Sequence, residues 1–66
     1  MSDTYGTIEL ESGNRFIWMS SKDGEINGFV ERSNGGIIKG TSGWYRTNDP
    51  DQAARTAELK LKSMEV

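Results

Sequence analysis

The segment TNDPDQAARTAELK, Thr47 to Lys60, predicts a C-terminal helix whose apolar face is too slim to cover much. Asp49 suits the N-cap, where its carboxylate accepts from free amides of the first turn, and Pro50 follows at a position that gives up no hydrogen bond. Gln52 completes a capping-box pattern with Asp49, Asp51 suits the positive end of the helix dipole, and Lys60 and Lys62 suit the negative end. The helix is expected from about Pro50 to about Ser63. At the helical period Ala53, Ala57, Leu61 and Met64 form one stripe, widened by Ala54, while Leu59 lies on the far side with Gln52 and Arg55. Three alanines bring little area, so Leu61 and Met64 have to carry most of the burial.

The chain ahead of this helix reads as strands and turns. After a frayed polar start at residues 1–4, YGTIELE (Tyr5 to Glu11) alternates with Ile8 and Leu10 on one side and Thr7, Glu9 and Glu11 on the other. SGN turns the chain into RFIWMS (Arg15 to Ser20), which is apolar on both faces, Phe16 and Trp18 opposing Ile17 and Met19. Asp23-Gly24 predicts a type I′ hairpin turn into a third strand, Glu25 to Ser33, with Ile26 and Val30 on one face and Asn27, Phe29 and Glu31 on the other. Gly28 in its middle marks a bulge or a close neighbour, such as a cross-strand ring. Asn34-Gly35 makes another tight turn, and Ile37 to Thr41 starts a fourth strand that Gly40 and Gly43 bend before Trp44 to Arg46. SSKDGEI and RSNGGII echo one another 11 residues apart, as consecutive hairpin turns of a meander would. The expected fold is α+β: a three- or four-stranded antiparallel β-meander packed against one C-terminal helix, in a single domain.

A domain of 66 residues buries only about 60% of its unfolded surface, so its core is marginal. With no cysteine and no histidine there is no disulfide, thiolate metal site, cysteine nucleophile or imidazole base. Oligomerisation is the remaining staple, and a homodimer is expected. The positions of Asp49 and Asp51 follow from helix capping, DGEIN lacks calcium-loop spacing, and SNGGIIKG lacks phosphate-loop spacing. The reading is non-enzymatic, with no cofactor and no metal. No apolar run approaches the ~20 residues that span a bilayer, and the first residues do not resemble a signal peptide, so the expected location is cytoplasmic.

A helix of about 14 residues is roughly 21 Å long and about 10–12 Å wide, enough for one face of such a sheet but not two. The large apolar groups Phe16, Ile17, Trp18, Met19, Phe29, Trp44 and Tyr45 exceed what that face can hide. They can be partly buried by a strongly curled sheet, paired with a second copy, or offered to a different protein. The candidate partner-binding residues are Phe16, Trp18, Phe29, Trp44, Tyr45, Arg46 and Leu59. The alternative is single-stranded nucleic acid, stacked on Trp18, Trp44 and Tyr45 with Arg15, Arg32, Lys39 and Arg46 on phosphates. A net charge of −2 and glutamates in the same strands oppose it.

From Phe29 to about Ala57, RSNGGIIKGTSGWY and the alanine-bearing helix resemble the YegP-like family of small prokaryotic domains. Ser33, Asn34, Gly35, Ile37, Ile38, Gly43 and Trp44 or Tyr45 follow that family's order, with Ala53 at its helix alanine; the connection from the aromatic to the helix is longer here. The resemblance implies a meander packed on a helix, a homodimer when the domain occurs singly, and no catalytic residues. Together these features lead to the expectation of a small protein-interaction module. One concrete version is a phage- or mobile-element-type inhibitor that blocks a larger host complex by occupying a surface.

Overall fold

A computed structural model describes residues 4–64. Four strands, β1 (Thr4–Glu9), β2 (Arg15–Ser20), β3 (Ile26–Glu31) and β4 (Ile37–Trp44), form one antiparallel sheet in sequential order, and α1 (Pro50–Met64) packs across one face. The α+β meander is therefore the observed fold, with four strands. Thr4 already belongs to β1; the rest of the frayed start lies outside the described residues.

The three hairpins use one device. Gly13, Gly24 and Gly35 have φ of 87°, 88° and 97° and stand eleven residues apart, each closing a turn onto the carbonyl three residues back (Leu10, Ser21 and Arg32). The type I′ expectation fails for Asp23 and Asn34, because neither has positive φ. The loops are three residues long, a type I turn followed by a left-handed glycine, which places the strain on the one residue type without a Cβ.

Register puts Gly6, Ile8, Phe16, Trp18, Ile26, Gly28 and Val30 on the helix side. Phe16, Ile26 and Val30 are fully buried there against Ala53, Ala54, Ala57 and Leu61, with Leu10, Ile38 and Tyr45 completing the core. Alanine is what lets α1 approach closely enough for Phe16 to fill the gap. Gly28 makes room for the same ring: a Cβ there would lie 2.6 Å from Phe16 Cζ. Met64 departs from the expected stripe. It is half exposed, because it projects at the sheet edge over Gly40 instead of into the centre.

β4 is one strand with an irregularity, not two pieces. Gly28 pairs with Gly43 and Val30 with Ile38, so Phe29 alone opposes four residues. Thr41, fully buried, repairs the interrupted ladder: its Oγ1 accepts from Val30 N at 2.8 Å and donates to Ile38 O at 2.6 Å. Beyond it Tyr45 N donates to Ile26 O while Ile26 N donates to Thr47 O, leaving Arg46 as an extra residue with φ 51°. At the helix start Asp49 Oδ1 accepts from Asp51 N at 3.0 Å, as a cap should. Gln52 does not close the box on Asp49; Thr47 Oγ1 accepts from Asp49 N instead and donates to Gln52 Oε1.

Candidate binding face of the sheet

Helix α1 covers one face, and the other carries the odd-numbered residues of the first three strands. Tyr5, Met19, Asn27 and Trp44 are consecutive cross-strand partners, and Thr7, Ile17 and Phe29 form the next row. Tyr5, Met19 and Trp44 are 80%, 48% and 54% exposed, while Ile17, Asn27 and Phe29 are half-buried between their neighbours. Tyr5, Ile17, Met19, Asn27 and Phe29, with Trp18 and Gly28, line an open depression of about 330 Å³. The Asn27 carboxamide and the Tyr5 hydroxyl are the polar side-chain groups of its mainly apolar lining. At one end Trp44 adjoins a smaller hollow with Glu25 and Arg46.

At the other end the pattern changes to charge. Glu9, Arg15, Glu31 and Ile37 make up one row, in which Arg15 Nη2 and Glu31 Oε1 lie 3.0 Å apart. Half-exposed groups of this kind contribute at most about 1 kcal/mol to folding, so the row acts mainly as a wet, polar border to the apolar two-row surface.

The residues singled out from sequence divide among four places. Phe29 and Trp44 lie on the open face, and Arg46 sits at the bulge that ends its Trp44 side. Phe16 and Tyr45 belong to the core: their rings meet edge to face, centroids 5.3 Å apart, and Tyr45 Oη donates to Thr41 O. Burial raises the Tyr45 pKa above its ordinary value, and Lys60 Nζ lies 4.6 Å over its ring, an interaction that turns this lysine from the helix end toward the sheet. Trp18 is half-buried on the helix side beside Gly6, where a Cβ would come within 2.9 Å of its ring. Leu59 is 67% exposed on the outer side of α1, remote from the open face. Tyr5, Ile17, Met19 and Asn27 were the omissions. Their common parity with Phe29 was legible, but which of two apolar faces the helix would take was not.

As a chemical surface this face offers dispersion, aromatic edges, the Asn27 carboxamide and the Tyr5 and Thr7 hydroxyls. Among the described residues no group of three or more Asp or Glu is placed to hold a metal ion, and no helix is long and apolar enough to cross a membrane. Comparison with known protein families, with curated proteins and with solved structures finds no match for this chain.

Proposed function

We propose that this chain is a small non-catalytic protein-interaction module that recognises another protein surface through the open face of its sheet. The observation that carries the reading is the uncovered pair of apolar rows around Ile17, Met19 and Phe29, with Tyr5 and Trp44 at the flanks. A contiguous apolar area rimmed by charge is the composition of an interface core and rim. Tyr and Trp are also the residue types that dominate binding hot spots. The meander-on-helix architecture agrees with what a YegP-like resemblance implies. Blocking a larger complex by occupying one of its surfaces is a concrete form this activity can take, in a phage or mobile-element setting.

The nucleic-acid alternative receives less support. Its three stacking rings do not share a surface, since Tyr45 is in the core, Trp18 on the helix side and Trp44 on the open side. Arg15, one of its phosphate partners, is engaged by Glu31.

A photo-reactive amino acid at position 19 tests the proposal in the source cell. Adducts to protein are the expected result; adducts to nucleic acid, or tryptophan quenching by single-stranded oligonucleotides that weakens steeply with salt, would overturn it.

A further inference from the structure

We propose that the free edge of β1 is a docking site for an extended, lysine- or arginine-bearing segment of a different protein, which joins the four-stranded sheet as a further strand antiparallel to β1. The site is separate from the open face and stands whether or not that face has a partner.

The register decides which backbone groups are offered. Leu10 N donates to Asn14 O, so the residues of β1 that exchange hydrogen bonds with β2 are the even-numbered ones, Ile8 with Phe16 and Gly6 with Trp18. The N–H and C=O groups of Tyr5, Thr7 and Glu9 therefore point away from the sheet. Nothing in the strand guards them: β1 contains no proline or lysine, and its pairing with β2 runs without a bulge. The opposite edge is guarded. β4 carries Lys39, its register with β3 is broken around Thr41, and Met64 lies over Gly40.

The charge beside β1 selects the occupant. α1 presents Asp51, Ala54, Arg55 and Glu58 at the spacing of one helical stripe, and this stripe and the end of β1 wall a groove of about 210 Å³. Ile8, Leu10 and Ala54 supply its apolar surface, while Glu9, Glu11, Asp51 and Glu58 set four carboxylates against the Arg55 guanidinium. Among the described residues none of the four is held in an ion pair; even Arg15, the cross-strand neighbour of Glu9, is engaged by Glu31. Nor is any group of three among the described residues placed to hold a metal ion, so the complement is a cation on a long side chain. The residues of an added strand opposite Ile8 and Leu10 fall on the helix side, and a Lys or Arg there reaches these carboxylates. The residue opposite Gly6 falls on the same side, where no Cβ intervenes and the half-buried Trp18 ring offers an apolar platform. Along the added strand the helix-side residues thus read basic, basic, aromatic. A second copy does not fit this edge: β1 has no basic residue, and its Glu9 would add negative charge to the groove.

Nuclear magnetic resonance of the full chain tests this with a blocked hexapeptide, Lys-Thr-Lys-Thr-Phe-Thr, and its counterpart with Glu for both Lys. In the free chain the amides of Tyr5, Thr7 and Glu9 should exchange with solvent at least about tenfold faster than those of Gly6 and Ile8. The lysine peptide should bind with a Kd below about 1 mM, slow the exchange of those three amides, and weaken as salt rises, with the glutamate peptide at least about tenfold weaker. Thr7→Pro removes the central outward donor and leaves the β2 ladder intact, proline being tolerated on an edge. Glu11→Lys with Glu58→Lys reverses the charge of the groove. Each should lower affinity at least about tenfold, with circular dichroism confirming the fold. Met19→Glu, on the open face, should leave binding unchanged. Slow exchange of Tyr5, Thr7 and Glu9 in the free chain, no saturable binding of the lysine peptide up to about 5 mM, or equal affinity for the two peptides would refute the proposal. So would binding that survives both Thr7→Pro and the charge reversal, or that is lost in Met19→Glu, which would put the peptide on the open face.

Discussion

Replacing Gly28 by alanine adds one methyl group at the point where sheet and helix are closest. Its Cβ would lie 2.6 Å from Phe16 Cζ, 2.9 Å from Phe16 Cε1 and 2.7 Å from the Ile17 carbonyl oxygen. Two of these atoms belong to a ring with no exposed surface, held edge-on by Tyr45, and the third is backbone in the central strand. Neither can yield cheaply, so the overpacking cost of about 1–3 kcal/mol applies toward its upper end. Alanine also restricts the unfolded chain, which returns about 0.4–1 kcal/mol because the φ of Gly28 is not in the left-handed region. The net loss is about 1–2 kcal/mol. In a domain this size each kcal/mol moves the melting midpoint by roughly 4–8 °C, so Gly28→Ala should melt about 5–15 °C lower at equal protein concentration. Differential scanning calorimetry reads the midpoint, and the near-ultraviolet dichroism of Tyr45 reports whether Phe16 has moved. Gly6→Ala is the control, its 2.9 Å contact being with the half-exposed Trp18 ring, which has room to turn; it should cost under about 1 kcal/mol. An unchanged or higher midpoint for Gly28→Ala would refute the claim that Gly28 sets the helix-to-sheet spacing.

Three further outcomes are expected. Thr41→Val keeps the shape but removes the acceptor for the buried Val30 amide and should cost about 1–3 kcal/mol in chemical denaturation, where a loss under about 0.5 kcal/mol would mean the bulge does not depend on that hydroxyl. Arg46→Gly relieves a positive φ in a residue with a Cβ and should raise stability by up to about 1 kcal/mol, whereas a clear loss would show that the arginine side chain holds the bulge. Tyr45 stays neutral in the folded chain to a higher pH than in the unfolded one, so its contribution is full below about pH 10 and falls as pH rises from there through the raised folded pKa. Melting from pH 8 to 11.5 should therefore show a steeper alkaline decline for wild type than for Tyr45→Phe, and parallel curves would remove the linkage.

Local physics accounts for the elements themselves. Asp49 and Pro50 start α1 where capping requires, period-two alternation marks the strands, and Gly28 announces a bulge or a close approach, with the register shift beginning at it and the Phe16 ring packed against it. The eleven-residue recurrence of turn glycines was half-seen from the Gly24 and Gly35 turns, and Gly13 completes it. Turn type was misread because an Asp-Gly or Asn-Gly pair fits both a two-residue I′ loop and a three-residue loop, and only the strand twist and pairing choose between them.

Which residues reach a partner was a different matter. β2 is apolar on both sides, so alternation assigns Phe16 with Trp18 and Ile17 with Met19 but does not say which pair the helix buries. Tyr45 and Trp44 are neighbours in sequence and go to opposite sides of the sheet, one into the core and one onto the open face. The sequence by itself determined the α1 start, the alternation of faces and the shortage of covering area. Only the tertiary structure decided which face stayed open, because that depends on how the alanine surface of α1 fits around the Phe16 ring above Gly28, a match between residues far apart in the chain.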